Sequence, residues 1–230
     1  MTNQAWAVVG VVAVAIWAWW RFYYFFRNPP RSVPPGTELI AASDGRIVYE
    51  ELVDFDVVDG SAPRSPWDEY LGRMRESFAP TGRWRVAGTY LSIFDVHVVR
   101  APAGGVVRFV TVPPRGQNVP MERLLIAAAL RRGVPYPGRA YAAKNALVGM
   151  EIRGAFGDFP VIVVMMADWW IRQIEVFPAS GASVQRGDVV GRIRMGSQVD
   201  VWVPADKARI VCAVGDPMRS GETTVGAWLS

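Results

Sequence analysis

Cysteine, histidine and lysine are nearly missing from this 230-residue chain, which holds one Cys, one His and two Lys. With Cys212 alone there can be no internal disulfide framework and no thiol cluster for zinc. His97 is the only histidine, so multi-histidine metal centres are excluded too, and no metal is expected. Pyridoxal phosphate needs a Schiff-base lysine beside a phosphate cup in an α/β fold, whereas Lys144 and Lys207 lie in β-like surroundings. That cofactor is therefore not expected. There is no block of Lys/Arg and no basic stripe interleaved with aromatics, so nucleic acid is not an expected partner. The cysteine usage fits a reducing compartment.

Hydrophobic residues are abundant, at 51%, and much of the excess lies in the first 26 positions. Ala5 to Trp20 carries no charge, and Arg21, the run Phe22-Tyr23-Tyr24-Phe25-Phe26 and Arg27 follow. A spanning helix needs roughly 20 apolar residues, and Arg21 can extend the span by snorkelling. Trp17, Trp19, Trp20, Tyr23 and Tyr24 suit an interfacial belt. No positive residue precedes the apolar run and no small-x-small cleavage site follows it, which favours a membrane anchor over residues 1–27 rather than a signal peptide or a buried helix. Arg21, Arg27 and Arg31 all follow the run, so the body is expected on the cytoplasmic side of the cell (inner) membrane. The net charge of +4, nearly all from arginine, suits an anionic membrane surface.

Pro29-Pro30 and Pro34-Pro35-Gly36 break helix and mark a linker over residues 28–37. Beyond it, a single body of residues 38–230 is dominated by short β-type runs. These are 46–50, 84–91, 96–99, 105–112, 147–152, 161–166, 172–177, 189–194 and 199–203. Met121–Arg132 reads as a helix with Leu124, Leu125, Ala128 and Ala129 on one face, and Asp68–Glu76 as a polar surface helix. Ala42–Val48 and Pro102–Val107 look like internal copies, each a glycine turn into a strand. Gly181–Ile193 is a third relative and resembles the hammerhead turn of biotinyl and lipoyl carrier domains, although no lysine is near it to be modified. The expected fold is mainly β (α+β): barrel-sandwich-like antiparallel sheets with one or two helices, plus an N-terminal membrane helix.

Val190–Pro204 reads as two strands joined by a corner at Gly196-Ser197. It is similar to the C-terminal signature of phosphatidylserine decarboxylases, in which a Gly-Ser bond lies between "G-x-I-x-x" and "x-V-D-x-x-x-P". Three more stretches resemble that family in the same order: Phe25–Arg31, Ala42–Val48 and Leu91–Pro102. The match is collinear from about residue 25 to about 205, in the family's short form.

Removing CO2 from an amino acid leaves a carbanion that no side chain can delocalise, so an electron sink is required. The resemblance implies a pyruvoyl group made from Ser197. Its hydroxyl would attack the Gly196 carbonyl, and the chain would part into a β chain, 1–196, and an α chain, 197–230, that remain associated. Glycine at 196 permits the close, twisted approach this needs. The family motifs also point to Asp44 and His97 for self-cleavage, and Arg100 is a candidate to hold a substrate carboxylate or phosphate. Asp95 reads as a turn residue. Longer members carry His-x-x-His where this chain has His97-Val98-Val99-Arg100, and Glu-Asn-Glu-Arg where it has Lys144-Asn145-Ala146-Leu147. The implied substrate is phosphatidylserine in the membrane, converted to phosphatidylethanolamine. A different serine lipid such as archaetidylserine, and a non-catalytic membrane-attached relative, stand as alternatives. Oligomeric state is open, a homo-oligomer included.

Overall fold

The computed structural model describes residues 3–57, 65–117, 119, 140–154, 159–168, 174–194 and 197–229. The expected helix over Met121–Arg132 and the residue Gly196 lie outside them. Helix α1 (Asn3–Trp19) continues through a π-helical turn, Trp20–Tyr24, so that Gln4–Tyr24 forms a stretch of 21 residues long and apolar enough to cross a bilayer, none of it buried against the body.

The body is mainly antiparallel β. Its strands are β1 (Leu39–Ile40), β2 (Gly45–Asp54), β3 (Arg83–Leu91), β4 (Val98–Arg100), β5 (Gly105–Val112), β6 (Leu147–Arg153) and β7 (Pro160–Ala167), followed by β8 (Ile174–Val176), β9 (Ser183–Val184), β10 (Val189–Ile193), β11 (Ser197–Pro204), β12 (Ala208–Ile210), β13 (Pro217–Met218) and β14 (Thr224–Trp228). Eight of them form one sheet in the order β13-β2-β3-β11-β7-β6-β5-β9. Two three-stranded sheets, β1-β14-β12 and β4-β10-β8, are the others among the described residues.

The large sheet is close to palindromic, and the internal copies explain why. Gly45 opens β2 at φ 131° and Gly105 opens β5 at φ 149°, a region that side chains with a Cβ avoid. A Cβ on either would lie about 2 Å from a backbone carbonyl: 2.0 Å from Tyr90 O in one copy, 2.2 Å from Arg153 O in the other. Each glycine also pairs outward with a two-residue strand, Gly45 with Met218 of β13 and Gly105 with Val184 of β9.

Side chains alternate across β11, as a period of two demands. Val199, Val201 and Val203 join an aliphatic core with Val99, Val107, Met150, Val163 and Met165. Trp202 enters an aromatic core on the other side, with Tyr49, Phe55, Tyr70, Trp84 and Tyr141. Helix α2 (Pro66–Phe78) closes that second core. Ser65 caps its start by accepting from Asp68 N at 3.2 Å, and Ala79 ends it in a left-handed conformation. The expectation of a polar surface helix is corrected here, because Tyr70, Leu71, Met74 and Phe78 all point inward. Arg73 disguised the stripe: it is buried and donates to the carbonyls of Ala142, Ala143 and Pro113 at 2.7–3.0 Å. Two of those acceptors belong to a short helix, α3 (Ala140–Lys144).

Candidate active site

Ser197 begins β11 between the last residues of its two neighbours, paired with Leu91 of β3 on one side and Ala167 of β7 on the other. From Leu91 the chain turns through Ser92–Val96, where the Asp95 carboxylate accepts from Ser92 N at 2.7 Å, and reaches His97. The expected turn role of Asp95 is what the structure has. The carbonyl of His97 accepts from Ile193 N at 3.1 Å, four residues before Ser197. Strand pairing therefore brings the lone histidine and the Gly-Ser serine to the same end of the sheet. The next residue but two, Arg100, donates its N–H to Ala42 O at 2.8 Å, which draws the Asp44 turn to that end as well.

His97 is 1% exposed. Its Nδ1 lies 3.0 Å from the Asp95 carbonyl, which can only accept, so the ring proton is on Nδ1 and the lone pair on Nε2. Nε2 is buried and has no hydrogen-bond partner among the described residues. Burial pushes the imidazole pKa down to about 4, with Arg27 lowering it further, against the Asp95 hydrogen bond and the charge of Asp44. The ring is neutral at physiological pH and presents an unused base nitrogen.

Asp44 makes no hydrogen bond to His97 among the described residues. Its carboxylate takes Arg31 at 2.8 and 2.9 Å and the N–H of Ser220 at 2.8 Å. With Asp95, Arg46, Tyr90, Ser92, Phe94 and Met218 it lines a cleft of about 400 Å3. Both terminal nitrogens of Arg100 are engaged, by Gly187 O at 2.9 Å and by Asn28 Oδ1 at 2.7 Å. A substrate anion at Arg100 would have to displace Asn28.

The segment Phe25–Arg31 touches each of these residues in turn. Phe25 stacks on His97, Asn28 holds Arg100 and Arg31 holds Asp44, with an Arg31 side chain only 4% exposed. Arg27 lies over the Tyr24 ring at 3.8 Å and donates to Phe94 O in the turn before His97. These contacts span some 13 to 72 residues of sequence, which is why the motif could be noticed in the sequence but not assigned.

Two further features escaped sequence reading. Asn145, which reads as the survivor of a degraded motif, exchanges hydrogen bonds with Val119 at 2.7 and 3.0 Å and donates to Ala167 O at 2.9 Å, on the strand residue paired with Ser197. Asp200 is fully buried and accepts from Tyr49, from Tyr70 at 2.7 Å and from Gln198 at 2.7 Å. Alternation along β11 was the available signal, since a polar 198/200 pair falls on the face that carries Trp202.

Comparison with known proteins fits this arrangement. The family described as phosphatidylserine decarboxylase matches residues 20–226. The chain belongs to that family. Its members are carboxy-lyases, and the match covers every residue of the site described above. The chain is 29% identical over 229 residues to a phosphatidylserine decarboxylase proenzyme of Symbiobacterium thermophilum, covering 96% of this chain and 84% of that one. It is 30% identical over 224 residues to the proenzyme of that name in Rhodospirillum rubrum, covering 96% and 78%. A protein of Methanothermobacter thermautotrophicus, provisionally named an archaetidylserine decarboxylase proenzyme, is 29% identical over 204 residues, covering 87% and 78%.

Proposed function

We propose that this chain cleaves itself between Gly196 and Ser197 and then, as a pyruvoyl enzyme, decarboxylates phosphatidylserine to phosphatidylethanolamine at a membrane. The observation that carries the reading is a buried, neutral histidine whose Nε2 has no partner among the described residues, at the sheet end where Ser197 begins β11.

Serine is a poor nucleophile at neutral pH, and a positioned base is worth roughly 10²–10⁴ in rate. Nε2 of His97 takes the Ser197 hydroxyl proton, and Oγ bonds to the Gly196 carbonyl carbon. The Gly196–Ser197 C–N bond breaks, the amine takes a proton, and the amide becomes an ester. Loss of the Ser197 Cα proton then expels Gly196 as a carboxylate from Cβ. Water displaces the nitrogen as ammonia, and a ketone is left in amide linkage to Gln198. Asp44, held by Arg31 and Ser220 N, opposes the positive charge that His97 gains on the way.

The residues fit such a group. Held at the start of β11 in amide linkage to Gln198, it would supply a carbonyl for the substrate amine and a sink for the electron pair released with CO2. Residues 197–230 supply β11 to β14, and β11 lies between β3 and β7 of the other fragment, so scission leaves the two chains interlocked. In this reading the helix Asn3–Trp19 and its aromatic extension anchor the body to the bilayer that contains the substrate, and the arginines after it favour the cytoplasmic side.

The test is the mass of the C-terminal fragment with borohydride trapping. Wild type should yield 197–230 with a blocked, reducible N-terminus, and Ser197→Ala a single intact chain. An intact wild-type chain that still releases CO2 from serine lipid would overturn the pyruvoyl origin. The bacterial and archaeal relatives match at nearly equal identity, so ester-linked and ether-linked serine lipids should be assayed side by side.

A further inference from the structure

The exit of the membrane helix is built onto the histidine itself. The Phe25 ring lies over the His97 imidazole with centroids 4.2 Å apart and planes at 34°, and each residue is 1% exposed. The contact is held from both sides: Tyr24 and Arg27 donate to Phe94 O, and Phe26 receives Arg192 at 5.5 Å and Arg194 at 5.8 Å.

We propose that Phe25 is a positioning residue that keeps His97 a neutral base, by sealing the imidazole from water. The proposal rests on the reading of His97 as the base for Ser197. Two effects of a phenyl face compete. It attracts an imidazolium, which would favour protonation. It also removes the water that a cation needs, and an unpaired buried ion is costly. Exclusion of water wins, because no carboxylate among the described residues bonds to the ring. Among the described residues, two charges act on His97 and three more arginines lie on the elements around it. Arg27, on the segment that carries Phe25, opposes protonation, and Asp44, from the turn before β2, favours it. Arg192, on β10, and Arg194, just after it, are tied to Glu175. Arg100, on β4, is held by Asn28 and Gly187. From its own loop His97 meets the Asp95 carbonyl. Phe25 directly follows the apolar stretch Gln4–Tyr24, so the membrane segment and the proton chemistry share a residue boundary.

His97 is the only histidine, so its imidazole signals can be titrated by NMR without assignment, on the uncleaved Ser197→Ala chain in detergent. The midpoint should lie near pH 4 in that chain, and as low or lower in Phe25→Leu, which keeps water out and loses only the ring attraction. Phe25→Ala should raise it by about one pH unit or more. Phe25→Val, with a smaller opening, should raise it less and serves if the alanine chain does not fold. A midpoint that is the same in the phenylalanine and alanine chains, or in the phenylalanine and valine chains if alanine fails to fold, overturns the proposal. A parallel measurement of self-cleavage against pH, with Ser197 restored, separates the two readings. An acid limb that moves with the NMR midpoint supports both. A midpoint that moves while the cleavage profile stays fixed supports the role of Phe25 and removes His97 as the base.

Discussion

Asp200 and His97 are buried to the same degree, at 0% and 1% exposure, and their surroundings are opposite. Asp200 lies in the aromatic core with three donors on its two oxygens, from Tyr49, Tyr70 and Gln198. His97 has one ring nitrogen bonded and the other without a partner among the described residues. A buried polar group with its bonds complete fits a structural role, whereas an unused lone pair in a dry site is open to a proton, the role proposed for His97. Burial alone would have ranked the two residues together; only counting their partners separates them.

The largest effect should come from breaking the histidine side. His97→Gln should slow self-cleavage by about 10²–10⁴, read from the rate at which the uncleaved chain disappears, while the folded β body persists. A rate within a few-fold of wild type would move the base elsewhere.

On the other side, Asp200→Ala removes the acceptor shared by two phenols and an amide in the aromatic core. It should cost about 3 kcal/mol of stability, measured by urea unfolding of the uncleaved Ser197→Ala chain. If Asp200 belongs to the architecture alone, a chain with this change that still folds at low temperature should cleave itself.

The smallest effect is the sharpest, because the two groups titrate in opposite senses. The folded pKa of His97 is lowered from 6.5 to about 4, so its contribution to stability is present above pH 6.5 and is lost as pH falls towards 4. Burial raises Asp200 from 3.8 to about 6 against its three hydrogen bonds, so its contribution is present below pH 3.8 and is lost as pH rises through 6. Between pH 4 and 6 the two trends nearly cancel. Asp200→Asn should therefore uncover a loss of about 1.4 kcal/mol per pH unit on acidification, relative to the chain with both groups, and His97→Gln a gain of about the same size. Stability curves that stay parallel across the three chains would show that neither group is perturbed by burial.

Much of this body can be read along the chain. Strand β5 falls where alternation puts it, at Gly105–Val112, and the resemblance between Ala42–Val48 and Pro102–Val107 reappears as the two matched halves of the large sheet. Both readings rest on local physics: a period of two, and glycines whose backbone no other residue adopts freely. The inward stripe of α2 was hidden because buried Arg73 finds carbonyl partners about 40 and 70 residues away.

The residues alone determined the β-rich body, the apolar helix before it, and the short roll of groups able to do chemistry: Ser197, His97 and Asp44. Tertiary structure decided which of them are dry, which are paired and which are left open. Phe25 reaches His97 across 72 positions of sequence, and the Asp200 cluster joins residues 130 and 151 positions apart. Local propensity carries no trace of such contacts, because water is excluded, and proton affinity set, only when distant segments close over the same atom.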